Sequence, residues 1–222
     1  MPSNITPSTL LLIGPGCPHC AAVLQHLQGL IKQGEIGELR VVNIAQRPEI
    51  AADLNVRAVP WMRIGDFELE GAHTLGELRE WIARSGNEHG VAEYFLDLLG
   101  HGQRGKLLTH LQRRPEHAAE LFYLLADREA GIDQRVGVGS VLEELAEQGT
   151  LADWIEQLGE LSRNADPTVR ADALHYLAMS ANATAKPLLE TALTDTHEMV
   201  RDVAAEALAE LAESLDQALT DR

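Results

Sequence analysis

Cysteine is the scarcest chemistry in this 222-residue chain, with only two residues. That is too few for the disulfide framework of a small secreted scaffold. Aromatic side chains make up 4%, and Ala and Leu dominate the second half, so helix packing against helix is expected there. Positive charge is also sparse: 18 Lys and Arg stand against 34 Asp and Glu, a net charge of −16. Residues 91–222 alone hold 11 basic and 24 acidic side chains, a net of −13. Such a surface repels phosphate backbones, which excludes nucleic acid as an expected partner. Long apolar runs are missing as well. The longest early one, Leu10 to Ile13, has four residues and no basic segment before it, too short for a signal segment or a membrane span. The expected setting is therefore the cytoplasm, without a membrane partner. What the chain does have is 45% apolar residues, sufficient for cores, and length for two domains of about 100 residues.

Both cysteines fall in Cys17-Pro18-His19-Cys20. The stretch follows Leu10–Ile13 and a Pro15-Gly16 turn. It opens an amphipathic segment with Val23, Leu24, Leu27, Leu30 and Ile31 at helical spacing. A dithiol at a strand-to-helix junction sets its first sulfur against unpaired helix N–H groups and the positive end of the macrodipole. Both favour thiolate over thiol. Cys17 is thus the candidate nucleophile and Cys20 the candidate resolving thiol, with His19 placed to add positive charge or a hydrogen bond. In a reducing cytosol, CxxC reads as redox-active or metal-binding. Zinc would need two further ligands, and no second CxxC or histidine pair at ligand spacing exists. No metal or other cofactor is expected.

Residues 9–84 alternate strand and helix signals. Strands are expected at Leu10–Ile13, Leu39–Ile44, Trp61–Ile64 and Phe67–Glu70, the last two joined by a Gly65-Asp66 turn. Helices are expected at Pro18–Gln33, Pro48–Leu54 and Thr74–Arg84, the last opened by a Thr74/Glu77 capping box. The order β-α-β-α-β-β-α predicts a helix-flanked mixed sheet with parallel crossovers first and a hairpin last. With Cys17–Cys20 after the first strand, Val59-Pro60 before the third and Gly71 after the fourth, this half resembles a minimal thioredoxin or glutaredoxin-like fold. The resemblance implies a cis Pro60 packed against the cysteine pair. It assigns Val59 and Pro60, with Trp61 beside them, to docking an extended substrate strand. It also implies catalytic roles for Cys17, Cys20, His19 and Pro60. Two departures stand out: Pro18-His19 replaces the family's Gly-Pro, and Leu11 occupies the place where many members carry a buried acid. Cys-Pro-His-Cys is similar to the site of the periplasmic oxidant DsbA, without that family's helical insertion.

Ser85-Gly86-Asn87-Glu88-His89-Gly90 reads as a linker, giving a domain over 1–86 and another over 91–222. Beyond it the periodicity is helical, at 91–99, 104–113, 117–130, 135–148, 151–163, 168–181, 186–194 and 198–215. Val169-Arg170 is echoed by Val200-Arg201 at an offset of 31 residues, and less fully by Val136 at 33. A period near 30 with paired helices signals an α-solenoid. It resembles the short HEAT repeats of phycobilisome-lyase-like proteins. Asp166 is the expected cap of its helix, and Arg170 and Arg201 are expected to form a ladder with neighbouring acids. No Ser/His/Asp grouping, phosphate loop or third cysteine stands in this half.

These readings converge on a cytosolic thiol–disulfide oxidoreductase, with a helical-repeat domain that docks a protein partner. Its other expected partners are protein disulfides and a protein or small-thiol electron donor. The alternative is a redox-controlled adaptor or chaperone with little turnover.

Overall fold

The Leu10–Ile13 run lies at the centre of a four-stranded sheet. A computed structural model describes residues 6–220, and the chain divides into two units, residues 1–94 and 95–222.

In the first unit, β1 (Ser8–Ile13), α1 (Cys20–Lys32), β2 (Glu38–Asn43), α2 (Pro48–Asp53), β3 (Trp61–Ile64), β4 (Phe67–Glu70) and α3 (Leu75–Ser85) follow in order. The strands pair as β2-β1-β3-β4. β1 runs parallel to β2, as the crossover through α1 requires. Against expectation, the second connection is not a parallel crossover: β3 runs antiparallel to β1, with Leu12 opposite Trp61 and Leu11 opposite Met62. The Gly65-Asp66 turn joins β3 to β4 as a hairpin, Ile64 opposite Phe67.

Alternation along β1 divides the core between two faces. Leu10 and Leu12 pack with Val42, Ala51 and Trp61 on the α2 side. Leu11 and Met62, both fully buried, are left for the other face, where α1 offers Val23, Leu27 and Leu30 and α3 offers Leu78 and Trp81. The capping box on α3 forms as expected. Thr74 Oγ accepts from the Glu77 N–H at 3.3 Å, and Glu77 accepts from the Thr74 N–H at 2.8 Å. Arg79 on α3 reaches Glu35 through Nε at 2.9 Å and Gln33 through Nη2 at 2.8 Å, fixing α3 to the end of α1.

α4 (Gly90–Gly100) contains the division between the units. The second unit continues with α5 (Arg104–Arg113), α6 (Ala118–Ala126), α7 (Ile132–Glu147), α8 (Ile155–Leu161), α9 (Pro167–Met179), α10 (Lys186–Ala192) and α11 (Glu198–Thr220). Single turns of 3-10 helix lead into α6, α8 and α10. α8 packs on α9, α10 on α11, and α9 on α11, the stacking of a helical-pair repeat. Asp166 caps α9, its carboxylate accepting from the Thr168 N–H at 2.7 Å, and Pro167 takes the first helical position. Ala173 and Ala204, both fully buried, permit close helix approach.

The repeat is legible bond by bond. Arg170 Nη1 donates to the Asn164 carbonyl at 2.9 Å, and Arg201 Nη1 donates to the Asp195 carbonyl at 2.8 Å. Asn164 and Asp195 in turn each accept the backbone N–H two residues on. The Val136 echo is not equivalent. Val169 and Val200 are buried in the helix interface, whereas Val136 is 66% exposed on α7.

Candidate functional site

β1 ends at Ile13, and the Gly14-Pro15-Gly16 turn delivers Cys17 to the mouth of α1. Cys17 and Cys20 are joined as a disulfide, their Cα atoms 5.5 Å apart. Cys17 is half-buried and Cys20 is 6% exposed, so the first sulfur is the accessible one. The helix begins at Cys20, two residues later than the Pro18 start expected from sequence. Pro18 and His19 lie in a turn, and the His19 side chain makes no cap. The Cys17 sulfur takes that place: the Cys20 N–H, one of the unpaired donors at the helix start, lies 3.1 Å from Cys17 Sγ. His19 is exposed at the rim.

The second wall of the site comes from the segment before β3. The Val59-Pro60 bond is cis, as the resemblance implied. Cys17 Sγ lies 3.5 Å from the Val59 carbonyl oxygen. Gly14 makes this approach possible, since a Cβ there would stand 3.3 Å from Val59 Cγ2. Pro60 is buried, and its carbonyl accepts from the Gly71 N–H at 2.9 Å, tying the end of β4 to the same wall. Val59 is half-exposed and sits outside the β1–β3 ladder, which begins at Trp61.

Trp61 is a correction. It was expected beside a docked substrate, but its side chain is 2% exposed and packs with Leu10, Leu12, Val42 and Ala51. Strand alternation turns it inward, so it supports the wall without presenting a face to a ligand. Leu11, six residues before Cys17, is fully buried, so no carboxylate stands there to exchange a proton with the dithiol. Of the nearby histidines, His26 Nδ1 lies 3.2 Å from the His73 carbonyl, and His73 Nε2 lies 3.2 Å from the Glu70 carbonyl. His73 also faces Glu77 at 3.6 Å.

In the second unit the expected Arg ladder forms at Arg170 but not at Arg201, which among the described residues meets the Asp195 backbone carbonyl and no acidic side chain. Arg170 grips Asp195 through Nε at 2.9 Å and Nη2 at 2.8 Å. The Arg170 guanidinium and the His197 N–H hold the Asp195 carboxyl below its usual range. Arg135 reaches Asp172 at 3.3 Å, yet half-burial pushes the Asp172 carboxyl up. Sequence reasoning missed a cluster on α6, α7 and α9 that includes Ile132, Val136 and Tyr176. Its available signal was the spacing of Ile132 and Val136, one turn apart and off the face of Val138, Val141 and Leu142. Among the described residues, no helix is long and apolar enough to cross a membrane.

The chemistry open to this arrangement is two-electron exchange between a half-exposed sulfur and an external thiol or disulfide. Comparison with known families agrees with the geometry. A thioredoxin domain model matches residues 9–83, and a HEAT repeats model matches residues 139–221. No curated protein matches the chain. The chain therefore joins a thioredoxin-like domain, bearing the Cys17–Cys20 pair, to a helical region with HEAT repeats.

Proposed function

We propose that the chain is a cytoplasmic thiol–disulfide oxidoreductase whose helical region docks its protein partners. The observation that carries this reading is the setting of Cys17. Its sulfur is half-exposed, holds the Cys20 N–H and faces the backbone of Val59 beside cis Pro60.

In the reductive direction, the Cys17 thiolate attacks one sulfur of a target disulfide. The target S–S bond breaks, the leaving thiolate takes a proton, and a mixed disulfide forms. Cys20, deprotonated, then attacks Cys17 Sγ and expels the second target thiol. Two electrons and two protons have passed to the target, leaving the Cys17–Cys20 disulfide. A protein dithiol or a small thiol must then reduce it to close the cycle. With Leu11 in place of a buried acid, the Cys20 proton goes to solvent or to the departing thiolate. Val59 and Pro60 supply the backbone wall against which the target strand lies, and His19 sits at the rim where a positive charge favours thiolate.

The test is turnover together with equilibrium. The wild-type chain should reduce a protein disulfide with dithiothreitol as donor and show one two-electron transition in glutathione buffers. Cys17→Ser should abolish turnover, and Cys20→Ser should accumulate the mixed disulfide. A chain that shows no transition and no turnover is not an oxidoreductase.

A further inference from the structure

Between α6, α7 and α9 lies a groove of about 640 Å³. Leu124 and Leu125 of α6 form one apolar wall, and Ile132 and Val136 of α7 form the other. Ile132 is 78% exposed and Val136 is 66% exposed, a costly display for two β-branched side chains one helical turn apart. The polar part of the lining is Arg135, Ser140 and Glu143 on α7 with Asp172 and Tyr176 on α9, two carboxylates against one guanidinium that already meets Asp172.

Two observations point from this groove to a ligand. The Tyr176 side chain is 8% exposed, yet among the described residues its hydroxyl has no hydrogen-bond partner. Gly139 lets it lie across α7, where a Cβ would come within 3.0 Å of the hydroxyl oxygen. The ring is buried while the hydroxyl opens on the groove, where water serves it until a ligand acceptor takes that place. The second observation is charge. The Asp172 carboxyl is half-buried and pushed up by desolvation, and Arg135 meets it only at 3.3 Å. Among the described residues, no cation pairs with Glu143, which is exposed beside it. The phenol itself, pushed up to about 12 by burial and by these carboxylates, stays protonated and serves as a donor near neutral pH.

We propose that this groove docks a cationic amphipathic helix of a partner protein. Two of its apolar side chains, one turn apart, cover Ile132, Val136 and the α6 leucines. A Lys or Arg beside them meets Glu143, and a backbone or side-chain carbonyl accepts from Tyr176. The proposal rests on the reading that the helical region docks partners, and it names the site and the partner's chemistry. The net charge of −16 disfavours a second copy of the chain as occupant.

The test selects random displayed peptides on the intact chain and measures the affinity of those enriched. Peptides carrying an apolar pair four residues apart and at least one Lys or Arg are expected. Val136→Asp and Glu143→Lys, both exposed and compatible with folding, should each weaken them by about tenfold. Tyr176→Phe, which deletes only the hydroxyl, should weaken them about threefold or more. Three results overturn the groove: enrichment of acidic peptides, equal binding to Val136→Asp, or binding that 0.5 M salt removes alike from the wild type and Val136→Asp. No enrichment over a Val136→Asp/Glu143→Lys control overturns it too. Disulfide exchange is assayed on the same preparation. Turnover without groove binding sinks this proposal alone, whereas groove binding without turnover sinks the redox reading alone.

Discussion

Cys17 Sγ stands 3.5 Å from the carbonyl oxygen of Val59, a residue 42 positions away in sequence. In the reduced protein, this carbonyl and the Cys20 N–H at 3.1 Å pull the sulfur in opposite directions. A carbonyl accepts from the thiol and so favours the protonated form. An amide N–H at a helix start favours thiolate. The donor is nearer, and the macrodipole of the 13-residue α1 adds to it, so the thiolate side prevails. Alkylation of the reduced chain followed against pH should therefore titrate Cys17 below the ordinary thiol value of about 8.5. Cys20→Ser isolates the first sulfur for this measurement. His19→Ala should move the midpoint up by no more than about one unit, and less at high salt, because the imidazole is exposed. A midpoint at or above about 8.5 would falsify an activated Cys17.

Trp61 separates support of the site from contact with substrate. Its ring lies in the sheet core at 2% exposure, so Trp61→Phe removes packing without altering the exposed wall at Val59. The expected cost is about 1–3 kcal/mol in chemical unfolding. The KM for a protein disulfide should stay within about twofold of wild type, a change worth under about 0.5 kcal/mol. A large rise in KM at unchanged kcat would return Trp61 to the docking surface.

The α3 capping box gives a prediction of local stability. Thr74 and Glu77 satisfy each other's backbone N–H groups, and the Thr74 N–H holds the Glu77 carboxyl below its usual range. Thr74→Ala should cost about 1 kcal/mol, whereas Thr74→Ser, which keeps the acceptor, should cost little. Urea unfolding followed by circular dichroism distinguishes the two. Equal losses for both variants would mean that the hydroxyl contributes nothing as a cap.

Much of this molecule was legible because its signals are local. The Leu10–Ile13 strand, the Gly65-Asp66 hairpin, the Thr74 cap and the Asp166-Pro167 helix start each depend on residues within four positions of one another. The direction of β3 was not legible, because the apolar alternation of Trp61–Ile64 is the same read either way and pairing with β1 decides it. Sequence alone puts the start of α1 at Pro18, two residues early, since Pro at a helix start is the common pattern. Here the Cys17 sulfur takes the Cys20 N–H, leaving Pro18 in the preceding turn. Trp61 was misplaced for the same kind of reason, as its neighbours in sequence face the site while its side chain faces the core. The groove on α7 escaped notice because that helix has two apolar faces. Val138, Val141 and Leu142 are buried, while Ile132 and Val136 lie outside, and no periodicity distinguishes the face that has a partner from the face that lacks one.

Arg170 and Asp195 make a two-pronged contact between α9 and the turn before α11, with side chains only 13% and 15% exposed. That separates them from the exposed pairs of this chain, such as Lys186 with Glu190, whose worth is about 0–1 kcal/mol. Asp195→Asn leaves the guanidinium half-buried without its charge partner, and about 2 kcal/mol should be lost near neutral pH. The pH dependence has a fixed sign. The folded Asp195 carboxyl lies below its ordinary value, chiefly because Arg170 hydrogen-bonds to it. Its contribution is therefore fully present above about pH 4 and is lost as pH falls through the folded value. Asp172 works the other way, its carboxyl being raised by desolvation, so the wild-type curve alone mixes the two. The difference in urea stability between wild type and Asp195→Asn removes the Asp172 contribution from the comparison. It should be constant from about pH 7 down to about pH 5, then shrink towards zero in stronger acid. A difference that stays flat across the whole acid range would show that the pair holds α9 by shape and packing, with no contribution from its charge.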